Sequence, residues 1–384
     1  MSSASLLASS PAPVQRLSPD ALRAALSLRD LTDPAQGQHA MQTLLSDVVQ
    51  AVSRAWKVPA RIHRPGPVVT VEDNYDRLGF STGDVTRDVR YSRYLSPTVM
   101  LRSHTSAAMP PVLRALNSDT DADALHVIPG LSYRRDAIDR THVGEPHQLD
   151  LWRVGCAARM GLADLHGLLE LVVHAVLPGA QWRTVRSPHP YTTLGVQLDV
   201  RVGHEWLELA EAGLVAPGIL AQAGLSPNAW SGVALGMGLD RALMLRKGIQ
   251  DIRLLRSADP RVAGQMQDLS PYRVVSALPS ITRDLSVVVP ADADEETLGD
   301  QVRETLGVQA GELESVSVLA RTGPDELPEG AVRRLGLVAG QVNALLRIVI
   351  RPLTRTMTDA EANALRDRVY LAVHRGPHLE LISR

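Results

Sequence analysis

The chain has 384 residues, of which 45% are hydrophobic and 21% are charged. This length and composition predict a soluble globular protein of two or three domains. Forty Lys and Arg stand against 42 Asp and Glu. The formal charge of −2 therefore excludes a global basic field for nucleic acid, while a local basic face stays open. No apolar run reaches the roughly 18 residues that a membrane helix needs, so we expect no membrane partner.

The single cysteine, Cys156, excludes an internal disulfide framework, a cysteine-based zinc site and a Cys-x-x-Cys redox centre. We therefore expect no disulfide-linked partner and a reducing compartment, the cytoplasm. The first sixteen residues are rich in Ser and Ala, lack acids and carry one Arg. A disordered tail explains this composition most simply, and a transit peptide with an organellar matrix location is the alternative.

The N-terminal part of the chain has helical patterns. Ser18 and Pro19 predict a capped helix start, and residues 38–56 keep apolar side chains at helical spacing. From Pro65 the pattern changes to short strands and loops, so we expect the main domain to begin near residue 60.

The middle of the chain is rich in predicted strands. Short apolar runs between residues 98 and 155 predict strands, and residues 158–177 predict a helix that ends at Pro178. Residues 195–202 and 205–209 alternate around Gly203-His204, which predicts a hairpin. These elements predict an α+β fold with mainly antiparallel pairing.

A second α+β unit follows residues 268–272. Its predicted elements are a strand at 283–289, a helix at 294–306, strands at 313–320 and 345–351, and a helix at 358–374 with a capping box of Thr358 and Glu361. This order predicts a ferredoxin-like α+β sandwich. The predicted boundaries are an N-terminal tail with helices over 1–60, a main domain over 61–268 and a C-terminal domain over 269–384.

Two common nucleotide motifs are excluded. The run from Gly236 to Arg241 begins like a dinucleotide fingerprint, but Arg241 replaces the third glycine and no βαβ unit surrounds it. No P-loop occurs either. His166, Glu170 and His174 share one helical face, which we interpret as a polar surface in preference to a metal site.

Four segments in order carry a more specific signal. They are residues 100–106 with His104 and Ser106, residues 132–150 with Tyr-Arg134-Arg-Asp136, Thr-His142 and His-Gln148, residues 232–244 with Gly-Met-Gly-Leu-Asp240-Arg241, and residues 271–363 with Pro-Tyr-Arg, Pro-Ser-Ile-Thr-Arg-Asp and Thr-Met-Thr-Asp. The first three resemble the active-site segments of the phenylalanyl-tRNA synthetase family, and the fourth resembles its ferredoxin-fold anticodon-binding domain. Both domains on one chain is the arrangement of the single-chain, organelle-type enzyme.

The resemblance implies a class II synthetase fold, ATP and Mg²⁺, and amino acid and tRNA as substrates. It implies that Arg134 and Arg241 are catalytic and hold the phosphates, which suits a reaction that builds negative charge on phosphorus. It implies ATP-binding roles for Asp136, His142, Pro146 and Asp240, and a magnesium role for Glu208. The implied amino-acid-binding residues are His104, Ser106, Gln148, Asp150, His189, Tyr191, Glu211 and Ala234.

The sequence departs from the family at several of these positions. His189-Pro-Tyr191-Thr stands where the family has Phe-Pro-Phe-Thr, Pro146 replaces the aromatic residue before His-Gln, and Glu211 replaces a small residue. Leu194-Gly195 replaces Pro-Ser, and Asp150 is one methylene shorter than the usual Glu. If the polar side chains point inward, they favour a substrate with a hydroxyl or amine. If they point outward, a ring-shaped apolar slot beside Ala234 remains.

Three functional hypotheses follow. The first is ATP-dependent activation of phenylalanine and its transfer to tRNA. The second is a divergent paralogue that activates another, polar aromatic amino acid or uses another acceptor. The third is a tRNA-binding protein without catalysis, although residues 271–384 carry 13 Lys and Arg against 16 Asp and Glu, which is no strong electrostatic footprint for RNA.

Overall fold

The computed structural model describes residues 16–88, 91–117, 121–275, 278–377 and 379. The Ser- and Ala-rich start on which the transit-peptide alternative depends lies outside these residues, apart from Arg16. Within the described ranges, none of the helices is both long and apolar enough to cross a membrane.

In the described part of the chain, two α-helices precede the sheet. Helix α1 (Pro19–Leu26) begins as predicted behind Ser18, whose hydroxyl accepts a hydrogen bond from the amide of Ala21 at 3.1 Å. Helix α2 (Ala40–Trp56) buries its whole apolar face. Its residues share one core with helix α5 (Leu162–Val176). Residues 40–56 are therefore part of the larger domain's core, although residue 60 was the predicted start of that domain.

A seven-stranded sheet forms the centre of the larger domain. Its strands are β1 (Ala60–Ile62), β4 (Asp123–Leu131), β5 (His147–Gly155), β6 (Trp182–Arg186), β7 (Thr192–Val202), β8 (Glu205–Val215) and β9 (Ser231–Gly238), and a separate pair is formed by β2 (Val68–Thr70) and β3 (Val99–Leu101). The order in the sheet is β1-β4-β5-β9-β8-β7-β6. Only the β1–β4 pair is parallel among these described strands. The predicted antiparallel α+β core is thereby confirmed.

Helices cover the sheet on both faces. The remaining helices of this domain are α3 (Val71–Asn74), α4 (Met109–Arg114), α6 (Pro217–Gln222), α7 (Leu239–Lys247) and α8 (Pro260–Ala263). On β5, Leu149 and Leu151 pack in one core with α2, α5 and α7, whereas Trp152 and Val154 pack on the opposite face with α4 and α6. Even-numbered β5 residues therefore point away from the α2–α5–α7 layer.

The predicted hairpin is present and longer than expected. Strands β7 and β8 pair around Gly203-His204, and Gly203 has a φ of +60°, which a glycine adopts without steric penalty. Strand β8 continues to Val215 because its residues beyond Leu209 pair with β7 on one side and with β9 on the other.

The described residues of the C-terminal unit form three strands and three α-helices. They are β10 (Ile281–Pro290), α9 (Glu295–Leu306), β11 (Leu313–Thr322), α10 (Glu329–Leu335), β12 (Gln341–Ile350) and α11 (Asp359–Val373). The antiparallel order is β10-β12-β11, and the predicted Thr358–Glu361 capping box is formed. The ferredoxin plan has a further strand after α11, and residues 378 and 380–384 there lie outside the described part of the chain.

The C-terminal unit packs on the loop between β4 and β5. Ile138 of that loop is buried in the C-terminal core, and its carbonyl accepts a hydrogen bond from the amide of Val316 at 2.8 Å. The guanidinium of Arg303 donates to the carbonyl oxygens of Asp136 and Ala137. These contacts hold the loop that carries Arg134.

Candidate active site

A cavity of about 730 Å³ lies over strands β5, β9 and β8. Its walls come from the β4–β5 loop, from residues 103–106 and 188–191, and from the start of α7. Glu296, from α9 of the C-terminal unit, also lines it. This volume is in the range of roughly 300–1,000 Å³ that is typical of small-molecule sites.

The structure brings fourteen of the fifteen predicted site residues to this cavity: His104, Ser106, Arg134, Asp136, His142, Pro146, Gln148, Asp150, His189, Tyr191, Glu208, Glu211, Asp240 and Arg241. It does not bring Ala234 there. Ala234 is 1% exposed and packs with Trp152 and Ile219 in an apolar cluster. No slot beside Ala234 is therefore available to a ligand.

Two arginines and a histidine form the cationic part of the cavity. Nη2 of Arg241 lies 3.4 Å from Nε2 of His142. Nε of Arg134 donates to Oδ2 of Asp136 at 2.7 Å, and the Arg134 side chain is 41% exposed. Arg134 follows β4 and Arg241 lies in the first turn of α7, so two distant parts of the chain place positive charge around one cavity.

His142 is oriented by Asp139, which sequence reasoning missed. Nδ1 of His142 lies 2.7 Å from Oδ2 of Asp139. This hydrogen bond raises the pKa of His142 more than its partial burial lowers it, and Arg241 opposes the rise. Asp139 also accepts from the amide and hydroxyl of Thr141, and this Asp-x-Thr-His spacing is a local signal that could have identified it.

Glu208 faces both arginines. Burial raises the pKa of this carboxyl, the like charge of Glu211 raises it further, and Arg241 and Arg134 lower it. Among the described residues the Glu208 carboxylate has no hydrogen bond or ion pair. The described residues hold no group of three or more His, Cys, Asp or Glu that could bind a metal ion by themselves. A single carboxylate in this position nevertheless fits Mg²⁺, which is commonly held by one or two carboxylates together with substrate phosphates.

A β-bulge places Glu208 and Glu211 on the same face of β8. Leu198 pairs with Ala210 and Asp199 pairs with Glu208, so Leu209 is the extra residue. Side chains alternate along a regular strand, and residues three apart would then face opposite sides. The inserted residue reverses this alternation and brings both carboxylates to the cavity.

Asp150 forms a buried acidic floor. It is 3% exposed and accepts hydrogen bonds from the hydroxyls of Thr105 and Ser106 and from the indole Nε1 of Trp152. Burial raises its pKa, and these three donors partly offset the rise. Gln148 lies on the same face and accepts from the amide of Thr105 at 3.2 Å.

The polar side chains in the predicted amino-acid pocket point inward. Nε2 of His189 lies 2.9 Å from Oε1 of Glu211, and the hydroxyl of Ser187 donates to the same oxygen at 3.1 Å. The ring of Tyr191 stacks on Trp152 at 5.6 Å. Burial, with Asp150 and Glu211 nearby, raises the pKa of Tyr191, so its phenol stays protonated. The outward alternative is therefore wrong for these three residues.

Aromatic rings line the remaining wall. The ring of Phe80, the only Phe of the chain, stacks on His104 at 5.6 Å and lies 6.3 Å from Tyr191. Burial lowers the pKa of His104 to about 4, so the imidazole is neutral at pH 7. Phe80 was not among the predicted site residues, because nothing near it in the sequence links it to the pocket.

Asp240 has a different environment from the one predicted for it. Its carboxylate accepts from Nδ1 of His147 at 2.9 Å and from the amide of the same residue. Nε2 of His147 accepts from the amide of Leu31 at 3.0 Å, so Nδ1 carries the proton. Both carboxylate oxygens of Asp240 thus accept hydrogen bonds from the protein itself. These bonds fix the first turn of α7, where Arg241 lies.

The polar face of α5 shows no ligand set. His166 packs on the ring of Trp182 with 5.1 Å between centroids. Within the described ranges, no metal-ligand cluster includes His166, Glu170 or His174. All three side chains are exposed, as expected for a polar surface.

Comparisons with known proteins identify the larger domain. Residues 32–266 match the family model of the tRNA synthetases class II core domain (F). Over 241 residues, the chain is 32% identical to the phenylalanine–tRNA ligase alpha subunit of Prochlorococcus marinus strain MIT 9313. The chain belongs to the phenylalanyl-tRNA synthetase family. It is a class II aminoacyl-tRNA synthetase by this membership.

The matches of this synthetase to its relatives are partial. The Prochlorococcus alignment covers 62% of this chain and 69% of that protein. The phenylalanine–tRNA ligase alpha subunit of Streptococcus pneumoniae serotype 2 strain D39 is 34% identical over 209 residues, 50% of this chain and 59% of that one. A solved pyrrolysyl-tRNA synthetase from Desulfitobacterium hafniense is 20% identical, with a TM-score of 0.45 over 57% of this chain and 74% of that one.

Proposed function

We propose that this protein uses ATP to activate an amino acid as an aminoacyl-adenylate and then transfers the aminoacyl group to tRNA. Family membership favours phenylalanine as the amino acid. The observation that supports the proposal most is the arrangement of Arg134, Arg241 and His142 around one cavity, with His142 and Arg241 3.4 Å apart.

The proposed chemistry needs positive charge at two places. An oxygen of the amino-acid carboxylate forms a bond to the α-phosphorus of ATP, and the bond from that phosphorus to the pyrophosphate oxygen breaks. Arg134 holds the α-phosphate and the attacking carboxylate, and Arg241 with His142 holds the terminal phosphates. Guanidinium groups bind such oxygens in a bidentate way that Lys does not reproduce.

Magnesium is the proposed metal ion of this reaction. Bound Mg²⁺ neutralises charge on the phosphates of the nucleotide. Glu208 is the residue of this chain that would hold it, since its carboxylate lines the cavity beside both arginines. Asp136 lines the cavity while paired with Arg134, and we assign it to adenine recognition together with Pro146.

The C-terminal unit is proposed as a ferredoxin-fold anticodon-binding domain. Its strand order β10-β12-β11 and the packing of α9 and α11 in its core support this fold. Its composition lacks an excess of basic residues, so binding of tRNA would depend on the placement of individual arginines more than on the overall field.

Pyrophosphate exchange with each standard amino acid tests the activation step. We expect exchange with at least one amino acid, and a loss of roughly 10²- to 10³-fold in Arg134→Ala and in Arg241→Ala, the effect of removing one transition-state donor. Arg23→Ala is the matched control, because Arg23 is 75% exposed on α1. Absence of exchange with every amino acid would exclude activation of a standard amino acid.

Binding and charging of tRNA test the second step. One outcome is that the wild-type protein and both arginine variants bind tRNA equally at low salt, while none of the three catalyses exchange. The protein is then a tRNA-binding protein without catalysis. If no tRNA binds at low salt, both the transfer step and that alternative are excluded.

A further inference from the structure

We propose that Glu211, held by His189, selects an aromatic amino acid that carries a hydroxyl or amino group on its ring over phenylalanine. This inference rests on the proposed function, because it names the substrate class of the same cavity. Four observations on the described residues support it.

The first observation is the register of three adjacent strands. Gly236 of β9 pairs with Asp150 of β5 on one side and with Glu211 of β8 on the other. Residues paired in this way point to the same face of a sheet. The two carboxylates therefore flank a residue without a side chain, with their Cα atoms about two strand spacings, or ~10 Å, apart.

The second observation is the free space above Gly236. A Cβ atom added there would meet no atom within 4 Å, and Gly236 lines the cavity. Phe80 and Tyr191 line the same cavity as Gly236, with 6.3 Å between their ring centroids. A flat side chain lying over Gly236 would gain contacts with these rings, which favour offset or edge packing.

The third observation is the hydrogen bonding of the two carboxylates. Asp150 accepts three hydrogen bonds from the protein and can accept one more, next to the amide group of Gln148. The part of the cavity between Asp150 and Gln148 therefore suits the α-ammonium group of a substrate. Glu211 lies on the other side of Gly236, so a substrate whose ammonium group is held at Asp150 can extend its ring over Gly236 towards Glu211.

The fourth observation is the unused oxygen of Glu211. Both Ser187 and His189 bind Oε1. Among the described residues, Oε2 has no hydrogen-bond partner, and the side chain is 39% exposed. Burial would raise the pKa of Glu211, but His189, Ser187 and Arg134 together leave it below the ordinary value, so the carboxylate is ionised at pH 7.

These features define what the pocket accepts. A ring hydroxyl or amine donates a hydrogen bond to Oε2, whereas the ring of phenylalanine has no donor and leaves a partly desolvated carboxylate unpaired. Sites built to pair with a polar group reject the analogue that lacks it far more strongly than apolar pockets reject an extra methylene. We therefore expect at least a tenfold preference for the ring-substituted substrate.

The test compares kcat/KM in pyrophosphate exchange for phenylalanine, tyrosine, 3-hydroxyphenylalanine and 4-aminophenylalanine. The wild-type protein should prefer one of the three substituted amino acids by tenfold or more. In Glu211→Ala this preference should disappear. The variant should lose activity with the preferred substrate and keep its activity with phenylalanine. Glu205→Ala, at the exposed hairpin end of the same strand, is the control and should leave the preference unchanged.

A merely structural pair of Glu211 and His189 predicts a different result. Glu211→Ala would then lower the activity with all four amino acids by the same factor, and that outcome overturns the proposal. Preference of the wild-type protein for phenylalanine, or for an amino acid without a ring donor, also overturns it. If Glu211→Ala fails to fold, as judged by thermal unfolding, Glu211→Gln is used and should weaken the preference.

Calorimetric binding of the same amino acids separates this proposal from the proposed function. Exchange can be absent while the wild-type protein still binds a substituted amino acid at least tenfold more tightly than phenylalanine. If Glu211→Ala lacks this preference in binding, the assignment of the pocket is supported and only the proposed catalysis is excluded. Absence of selective binding together with absence of exchange overturns both.

Discussion

The amide of Val316 donates a hydrogen bond to the carbonyl oxygen of Ile138 at 2.8 Å, and this contact joins the C-terminal unit to the loop that carries Arg134. The Ile138 side chain is 6% exposed and belongs to the C-terminal core. A residue of the active-site loop thus contributes to the packing of the neighbouring domain, so the two parts should respond together to changes at this contact.

Replacement of Ile138 should destabilise the contact between the two units. Ile138→Ala removes buried methyl groups and should lower the free energy of unfolding of the C-terminal unit by about 2–5 kcal/mol. Calorimetric unfolding measures this change in stability, and limited proteolysis of the β4–β5 loop reports the loss of its contact with the C-terminal unit. Ile62→Ala, at a side chain that is 55% exposed, should change stability by less than ~0.5 kcal/mol. Equal effects of the two changes would contradict the assigned packing.

Asp240 should act on stability more than on nucleotide affinity. Asp240→Ala leaves Nδ1 and the amide of His147 without their buried acceptor, which should lower the free energy of unfolding by about 1–3 kcal/mol for each unpaired donor. Urea unfolding of this variant and of Asp20→Ala, whose side chain is 90% exposed, provides the comparison. A variant with unchanged stability and a raised KM for ATP would show that Asp240 contacts the nucleotide instead.

ATP affinity should depend on the protonation of His142. Asp139 raises the pKa of His142 above its usual 6.5, so the imidazolium persists to higher pH and its charge is lost as the pH rises through that raised value. ATP affinity should then fall, by roughly tenfold or ~1.5 kcal/mol for one charge-assisted hydrogen bond. Calorimetric titrations between pH 6 and 9 measure this change.

Two variants isolate this effect from the titration of ATP itself, which is common to all proteins compared. Asp139→Asn removes the partner that raises the pKa, so the fall in affinity should move to lower pH. His142→Ala should show only the dependence that ATP contributes. Identical pH profiles for all three proteins would exclude a phosphate contact through His142.

Two glycines should respond in opposite directions to the same substitution. A Cβ at Gly195 would lie 2.2 Å from the carbonyl oxygen of Ser187 and 3.1 Å from Nδ1 of His189. Gly195→Ala should therefore destabilise the protein by about 1–3 kcal/mol and disturb the His189–Glu211 pair. A Cβ at Gly167, within α5, meets nothing within 4 Å, so Gly167→Ala should stabilise by about 0.4–1 kcal/mol. Thermal unfolding of both variants checks the two signs.

Local signals in the sequence predicted several elements correctly. Ser18, the Thr358–Glu361 pair and the Gly203-His204 turn act on backbone groups within a few residues, so their effect can be recognised without knowing the rest of the fold. The ends of elements were less accurate. Strand β8 continues to Val215, beyond the predicted end at Leu209, because pairing with both β7 and β9 extends it.

The sequence by itself determined the antiparallel α+β class, the longer helices α2, α5, α9 and α11, the hairpin and the residue types that could bind a triphosphate, since these follow from patterns of period two or 3.6 and from short motifs. Only the tertiary structure decided which of these side chains meet. The bulge at Leu209 turns Glu208 and Glu211 to one face, and His147 engages Asp240 from 93 residues away. Such contacts depend on register and on packing between distant segments, which no local pattern encodes.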